Sequence, residues 1–425
     1  MDCIKIKPSL LKGEISIPPS KSLCHRAIIC AALSNEESKI DNVNFSDDII
    51  ATCKGMKILG AKIERIDDTL IIRGSINALT GETIDCNESG STLRFLIPIA
   101  LVQPANIRFV GRGKLVSRPL DIYYNIFEKQ DILYSNDMGN LPLNIEGQFK
   151  PGNFAIEGNI SSQFISGLLF SLPLLDGDSK IIITTNLESK GYVDLTLDML
   201  NRYGIEIINN GYKEFIIKGN QRYKGRDYRV EGDYSQAAFW LVGGILGEEI
   251  TSKNLNLESL QGDRVIIDII NKMGGTITLD ETFIKTIASN TKGIIIDASQ
   301  CPDLVPVLAV LAALSNGQTK IVNAARVRIK ESDRLNAIAT ELNKLGADVR
   351  EFDDGLVING KDSLIGGVVD SWNDHRIAMA LAIASIKCKD EIIIKNSEAV
   401  KKSYPHFWED FKKLGGKIDE FNMGK

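Results

Sequence analysis

No apolar run in this 425-residue sequence is long enough for a membrane. The longest, 164–175 and 304–314, fall short of the roughly 20 residues a span needs. No membrane partner is expected, and the second run reads as a core helix. A basic excess is also missing. Fifty Lys and Arg against fifty-five Asp and Glu leave a formal net charge of −5. No face-wide positive field is left for nucleic acid, so any anion site must be local. Seven cysteines (Cys3, Cys24, Cys30, Cys53, Cys86, Cys301 and Cys388) form no C-x-x-C pair and no even framework. That excludes a disulfide scaffold and reads as packing thiols in a reducing cytosol. No His/Cys/Asp/Glu cluster has metal-ligand spacing and no G-x-x-x-x-G-K-[ST] loop occurs. No metal and no other cofactor is expected, and a Walker-type nucleotide site is excluded. The opening Met-Asp-Cys-Ile-Lys carries no signal-like apolar region, so a cytoplasmic location is expected.

What is present is an ordinary globular composition, 44% hydrophobic and 25% charged, with a repeat running through it. Residues 57–74, K-I-L-G-A-K-I-E-R-I-D-D-T-L-I-I-R-G, read as a helix end, a glycine, a strand, a turn and a second strand. The pattern returns at 201–219, 271–288, in the back of 328–360 and at 412–420, with a worn copy at 127–147. Its marker glycines are Gly60, Gly204, Gly274, Gly346 and Gly415. The spacing of about 70 residues makes each copy a whole βαβ-type unit. The length predicts two domains. An apolar helix expected from Tyr234 puts the boundary near 229–232. Residues 19–229 then form one lobe, and 1–18 plus 230–425 the other, with 1–18 supplying one strand more than the first half needs.

Polar, mostly cationic clusters stand at the helix starts. Lys330, Glu331, Asp333 and Arg334 place four formal charges in five residues. The helix behind them is capped by Ser332 or Asp333, carries Leu335, Ile338, Leu342 and Leu345 at helical spacing, and ends at Gly346. A helix N-terminus favours an anion, and two cations there oppose the dipole. They are expected to be held by a bound anion; a solvated first turn with local ion pairs is the bland alternative. Lys21 and Arg26 flank a second helix start, which Ser20 or Ser22 can cap. Gly90, Ser91, Thr92 and Arg94 form a polar loop before a third, where glycine permits close approach of a ligand. Arg118 precedes a proline, and Ser161-Ser162-Gln163 head the 164–175 segment. Asp303 stands at the cap of the 304–314 helix, and capping alone is its bland account. Asp374-His375-Arg376 and Lys401-Lys402-Ser403-Tyr404-Pro405 complete the series. Cations at helix heads suit a small, very anionic ligand pair of about −5 to −6 charge. Among phosphates, Asp303 and Glu331 are expected to have raised pKa values, a setting for acid and base work near neutral pH.

Together, S-K-S-x-x-x-R at 20–26, S-G-S-T-L-R at 89–94, R-P at 118–119, S-S-Q at 161–163, P-D at 302–303, K-E-S-D-R at 330–334, D-H-R at 374–376 and K-S-Y-P at 402–405 resemble the 5-enolpyruvylshikimate-3-phosphate synthase family. The match runs over essentially the whole chain, in order. The resemblance implies a two-domain inside-out α/β barrel with three repeated β/α units per domain. It implies transfer of the enolpyruvyl group of phosphoenolpyruvate to the 5-hydroxyl of shikimate 3-phosphate, with release of phosphate. It implies that Lys21, Ser22, Arg26, Ser161, Ser162, Gln163, Ser189, Asp303, Arg326 and Lys330 hold shikimate 3-phosphate. Lys21, Gly90, Arg118, Gln163, Arg334, Arg376 and Lys402 are implied to hold phosphoenolpyruvate. Asp303 resembles the acceptor of the 5-hydroxyl proton and Glu331 the donor to the methylene carbon, with Lys21 also counted as catalytic. Two positions depart from the family: Glu88 and Arg326 stand where many members carry Asn. A sister transferase acting on UDP-N-acetylglucosamine would carry Lys-Asn in place of Lys21-Ser22 and a cysteine within 111–119, which is absent here. A non-catalytic anion-binding repeat protein would lack the acid or the base. The two small substrates are the expected partners, with no nucleic acid, and a monomer is expected.

Overall fold

A computed structural model describes residues 2–75 and 79–422. The sequence repeat is there a β-α-β-α-β-β unit. Twelve α-helices occur among the described residues: α1 (Lys21–Ala32), α2 (Asp47–Ile58), α3 (Gly90–Ala100), α4 (Asp121–Gln130), α5 (Ser162–Ser171), α6 (Lys190–Arg202), α7 (Tyr234–Leu246), α8 (Ile266–Met273), α9 (Val305–Ala313), α10 (Arg334–Lys344), α11 (His375–Ala384) and α12 (Phe407–Lys413). Six four-stranded sheets accompany them in one shared strand order. In the unit that contains α9 and α10, Ile295–Asp297 runs parallel to Gln318–Val322. Gln318–Val322 pairs antiparallel with Gly355–Asn359, which closes a hairpin with Asp348–Phe352.

The marker glycines work as the sequence suggests. Gly60, Gly204, Gly274, Gly346 and Gly415 take φ of 116°, 80°, 89°, 85° and 96°, the left-handed end that lets a strand follow a helix directly. In the worn copy Asp131 does the same at φ 56°, a conformation Asp tolerates better than most residues.

The chain divides into two units, residues 1–18 with 232–425 and residues 19–231, each with its own hydrophobic core. In each unit the first helix of every repeat is buried nearly all round. Every residue of α7 and of α9 is buried, whereas α8 and α10 bury one face. Helices that are hydrophobic on all sides belong in the middle, with sheets around them.

Residues 1–18 supply two strands to their unit, where one was expected. Gly13–Ser16 runs parallel to Glu249–Lys253. Asp2–Lys7 lies between Ile392–Lys395 and Lys417–Asn422. Pro8, which has no N–H to donate, and Gly13 at φ 119° break the one alternating stretch in two. The other unit closes in the same way, by Tyr228–Arg229 running parallel to Ser38–Asp41.

Candidate active site

In the unit of residues 19–231 the candidate residues sit at the heads of α1, α3 and α5. Ser20, Ser89 and Ser161 cap these helices through their side chains, accepting from the N–H groups of Leu23, Thr92 and Gln163. Lys21 forms an ion pair with Asp48 of α2 at 2.8 Å, both side chains largely buried. Asp48 was not singled out from the sequence; its one signal is its place in the acidic first turn of α2.

Arg26 is 2% exposed. Its Nε donates to Thr196 Oγ1 at 2.8 Å, Nη1 to the Ser22 carbonyl at 2.7 Å and Nη2 to the Tyr192 carbonyl at 2.8 Å. These acceptors are neutral, and burial lowers the Arg26 pKa to about 10. A buried guanidinium on neutral acceptors keeps its field available to an anion.

Gln163 is held from both sides. Its Nε2 donates to Ser91 Oγ at 2.9 Å, and its Oε1 accepts from Arg94 Nη1 at 2.9 Å. Arg94, read from the sequence as one of the anion donors, instead spends this N–H on Gln163 and lies over the Phe164 ring. Arg118 packs so close to Gly90 that a Cβ there would stand 2.5 Å from Nη1. Glu88 lies beside Gly113, whose added Cβ would be 2.5 Å from Oε2. The departure at Glu88 therefore touches the short 3-10 turn Gly113–Ser117 that leads to Arg118. Ser162 and Ser189 are buried, Ser189 at φ 53° before α6.

In the other unit Arg334 is the hub. It is 1% exposed at the first position of α10, capped by Asp333. Nε donates to Asp374 Oδ2 at 2.8 Å, Nη1 to Asp303 Oδ1 at 2.8 Å and Nη2 to Glu331 Oε2 at 2.6 Å. Asp303 also accepts from Arg376 Nη2 at 3.1 Å and lies 3.6 Å from Lys330 Nζ. Lys402 Nζ donates to the Asn373 carbonyl at 2.7 Å, and Arg326 Nη2 to the Ser299 carbonyl at 2.5 Å.

Three expectations change here. The anion holding Arg334 is supplied by the chain itself, as three carboxylates, because residues far apart in sequence converge on one guanidinium. Asp303 is not the cap of α9: a 3-10 turn, Pro302–Leu304, precedes that helix and Leu304 is its cap residue. Nor is the Asp303 pKa raised. Burial pushes it up, but Arg376, Lys330 and Arg334 outweigh that and hold it well below the usual carboxylate range. Burial lowers the Lys330 pKa despite Asp303 beside it.

Asp263 is a further addition, and Asp374 gains a partner that the sequence did not show. Asp374 caps α11 and anchors Arg334, a pairing invisible in the local D-H-R motif. Asp263 is buried, accepts from the Ser235 hydroxyl, and is raised to about 6 by burial and by the charge of Asp303. Chemically, a carboxylate kept ionised next to three cations can accept a proton from a hydroxyl that the cations bring to it. A second carboxyl group on the same guanidinium, once protonated, can make the complementary transfer.

No helix among the described residues is long and apolar enough to cross a membrane. The family model for EPSP synthase (3-phosphoshikimate 1-carboxyvinyltransferase) matches residues 6–411. The chain is 62% identical to the 3-phosphoshikimate 1-carboxyvinyltransferase of Clostridium novyi and 61% identical to that of Clostridium acetobutylicum, in both cases across 100% of each chain. Among solved structures, an EPSP synthase from Acinetobacter baumannii superposes with a TM-score of 0.83 at 24% identity, covering 99% of this chain and 100% of that one.

Proposed function

We propose, for a chain that belongs to the EPSP synthase (3-phosphoshikimate 1-carboxyvinyltransferase) family, that the two residue clusters described above carry that family's reaction. The enzyme is a transferase of the shikimate pathway, which leads to the aromatic amino acids. It moves the enolpyruvyl group of phosphoenolpyruvate to the 5-hydroxyl of shikimate 3-phosphate and releases phosphate.

The observation that carries the proposal is the pair of carboxylates, Asp303 and Glu331, on one buried guanidinium. In our reading Asp303 takes the proton of the 5-hydroxyl, and its depressed pKa keeps it ionised for that task throughout the neutral range. Glu331, in its protonated form, delivers a proton to the methylene carbon of phosphoenolpyruvate. The cationic centre this creates is attacked by the 5-hydroxyl oxygen. The tetrahedral intermediate then loses phosphate, which carries away the proton taken by Asp303, and a methyl proton returns to Glu331, which restores the enol ether. Lys21, Ser22, Arg26, Ser161, Ser162, Gln163, Ser189, Arg326 and Lys330 are assigned to shikimate 3-phosphate. Lys21, Gly90, Arg118, Gln163, Arg334, Arg376 and Lys402 are assigned to phosphoenolpyruvate and, later, to the leaving phosphate. Arg334, bonded to three carboxylates, acts chiefly through its charge and by holding acid and base in place.

We place the enzyme in the cytoplasm as a monomer; six free thiols, Cys24, Cys30, Cys53, Cys86, Cys301 and Cys388, support a reducing compartment. Phosphate release on mixing the two substrates is the test. No release, or equal release when UDP-N-acetylglucosamine replaces shikimate 3-phosphate, would overturn the reading.

A further inference from the structure

Glu341 has no part in the assignment above, yet it is a carboxylate with 0% exposure on the helix that starts at Arg334. It follows Arg334 by two helical turns, so both side chains leave one face of α10. Both grip the same loop. Arg334 holds Asp374 at one end. Glu341 holds the other end: Oε2 accepts the Asp370 N–H at 3.0 Å, and Oε1 accepts the Trp372 indole N–H at 2.7 Å. Lys344 supplies the counter-charge from one turn further along, at 2.8 Å.

The loop so gripped is in an unusual conformation. Trp372 and Asn373 both have φ of 54°, two consecutive left-handed residues. Asn tolerates this; for a bulky Trp it is a costly outlier that the surroundings must impose. Asp370 helps from the other side, accepting the Trp372 backbone N–H at 2.7 Å and the Asn396 side-chain amide at 3.1 Å. The conformation has a consequence for two site residues. It aims the Asn373 carbonyl at Lys402 Nζ, 2.7 Å away. It also delivers Asp374, whose Oδ1 caps the N–H of Arg376 at 2.9 Å.

We propose that Glu341 and Trp372 are positioning residues for phosphoenolpyruvate: their hydrogen bond holds Trp372 and Asn373 in the left-handed conformation that sets where the Lys402 ammonium and the Arg376 guanidinium stand. The inference rests on the assignment of Lys402 and Arg376 to that substrate.

Steady-state kinetics on Glu341→Gln, Trp372→Phe and the double variant test it, beside the wild type and with melting temperatures. Glu341→Gln keeps volume but offers one acceptor oxygen to two N–H donors. Its KM for phosphoenolpyruvate is expected to rise about tenfold, while kcat and the KM for shikimate 3-phosphate stay within about twofold. Trp372→Phe, which removes the indole donor and keeps an aromatic ring, should raise the same KM about fivefold. The double variant should resemble Glu341→Gln alone, because one shared bond is lost only once. Trp372→Phe keeps the test decisive if Glu341→Gln does not fold. An unchanged KM for phosphoenolpyruvate overturns the proposal. So does a joint rise in both KM values with a lowered melting temperature, which marks general loosening, or strict additivity of the two effects. A wild type that releases no phosphate would sink the activity reading and this inference with it, whereas an active wild type with flat variant KM values sinks this inference alone.

Discussion

Asp303→Asn tests the electrostatics of the Arg334 cluster most directly. In the wild type Lys330, Arg334 and Arg376 face Asp303, Glu331 and Asp374, three cations against three carboxylates. The amide oxygen of the variant can still accept from Arg334 Nη1, which lies 2.8 Å from Oδ1. The amide nitrogen, in place of Oδ2, meets Arg376 Nη2 at 3.1 Å, donor against donor. One cation is left in excess. At an effective dielectric constant of about 20, a unit charge about 6 Å from an anion is worth ~3 kcal/mol. Asp303 keeps 15% side-chain exposure, so solvent takes back part of that, and anion affinity is expected to rise by about tenfold. The fold is expected to weaken by roughly 3 kcal/mol, since breaking a buried pair from one side leaves charge uncompensated. Turnover should fall about 10²–10⁴-fold with the general base gone.

The pH dependence has a definite sign. The folded-state pKa of Asp303 is below its unfolded value near 3.8, so its stabilising contribution is present above that pH and lost as pH falls through the folded-state pKa. The stability gap between wild type and variant is therefore widest near neutrality and narrows below about pH 4. Urea midpoints at several pH values, calorimetry with phosphoenolpyruvate in the presence of shikimate 3-phosphate, and phosphate release together read all of this. Normal turnover, or anion binding weaker than in the wild type, would refute the reasoning.

Glu331→Gln keeps the side-chain shape and removes a negative charge, so phosphate release is expected to slow by about 10²–10⁴ while calorimetric affinity stays equal or tightens slightly; a variant that turns over normally removes Glu331 from the chemistry. Gly90→Ala puts a Cβ 2.5 Å from Arg118 Nη1 and must displace it. The KM for phosphoenolpyruvate should rise about tenfold with the KM for shikimate 3-phosphate little changed, and an unaltered KM would dissociate Arg118 from that substrate. Asp263 is raised from 3.8 to about 6, so the stability it contributes is full below about 3.8 and is lost as pH rises through 6. Relative to Asp263→Asn, the wild type should therefore lose roughly 2 kcal/mol between pH 4 and 7 in urea titrations, and parallel stability curves would contradict the assignment.

The sequence by itself determined the repeat, the helix heads and the identities of most candidate residues. Those signals are local. Gly346 stops α10 because only a left-handed residue can turn the chain there, and Ser20, Ser89, Ser161, Asp333 and Asp374 cap helices because an oxygen three positions or fewer from an exposed N–H suffices. The family resemblance likewise needed only the order of short motifs. Tertiary structure alone decided which charge meets which. Arg334 and Asp374 are forty residues apart, Asp303 and Arg376 seventy-three, and no periodicity couples them. That is why Arg334 proved to be held by the chain's own carboxylates, why the Asp303 pKa falls where it was expected to rise, and why the buried Glu341 and Asp263 passed unnoticed. Local spacing sets secondary structure and its caps; the pKa of a buried group depends on distances that exist only once distant helix heads have converged.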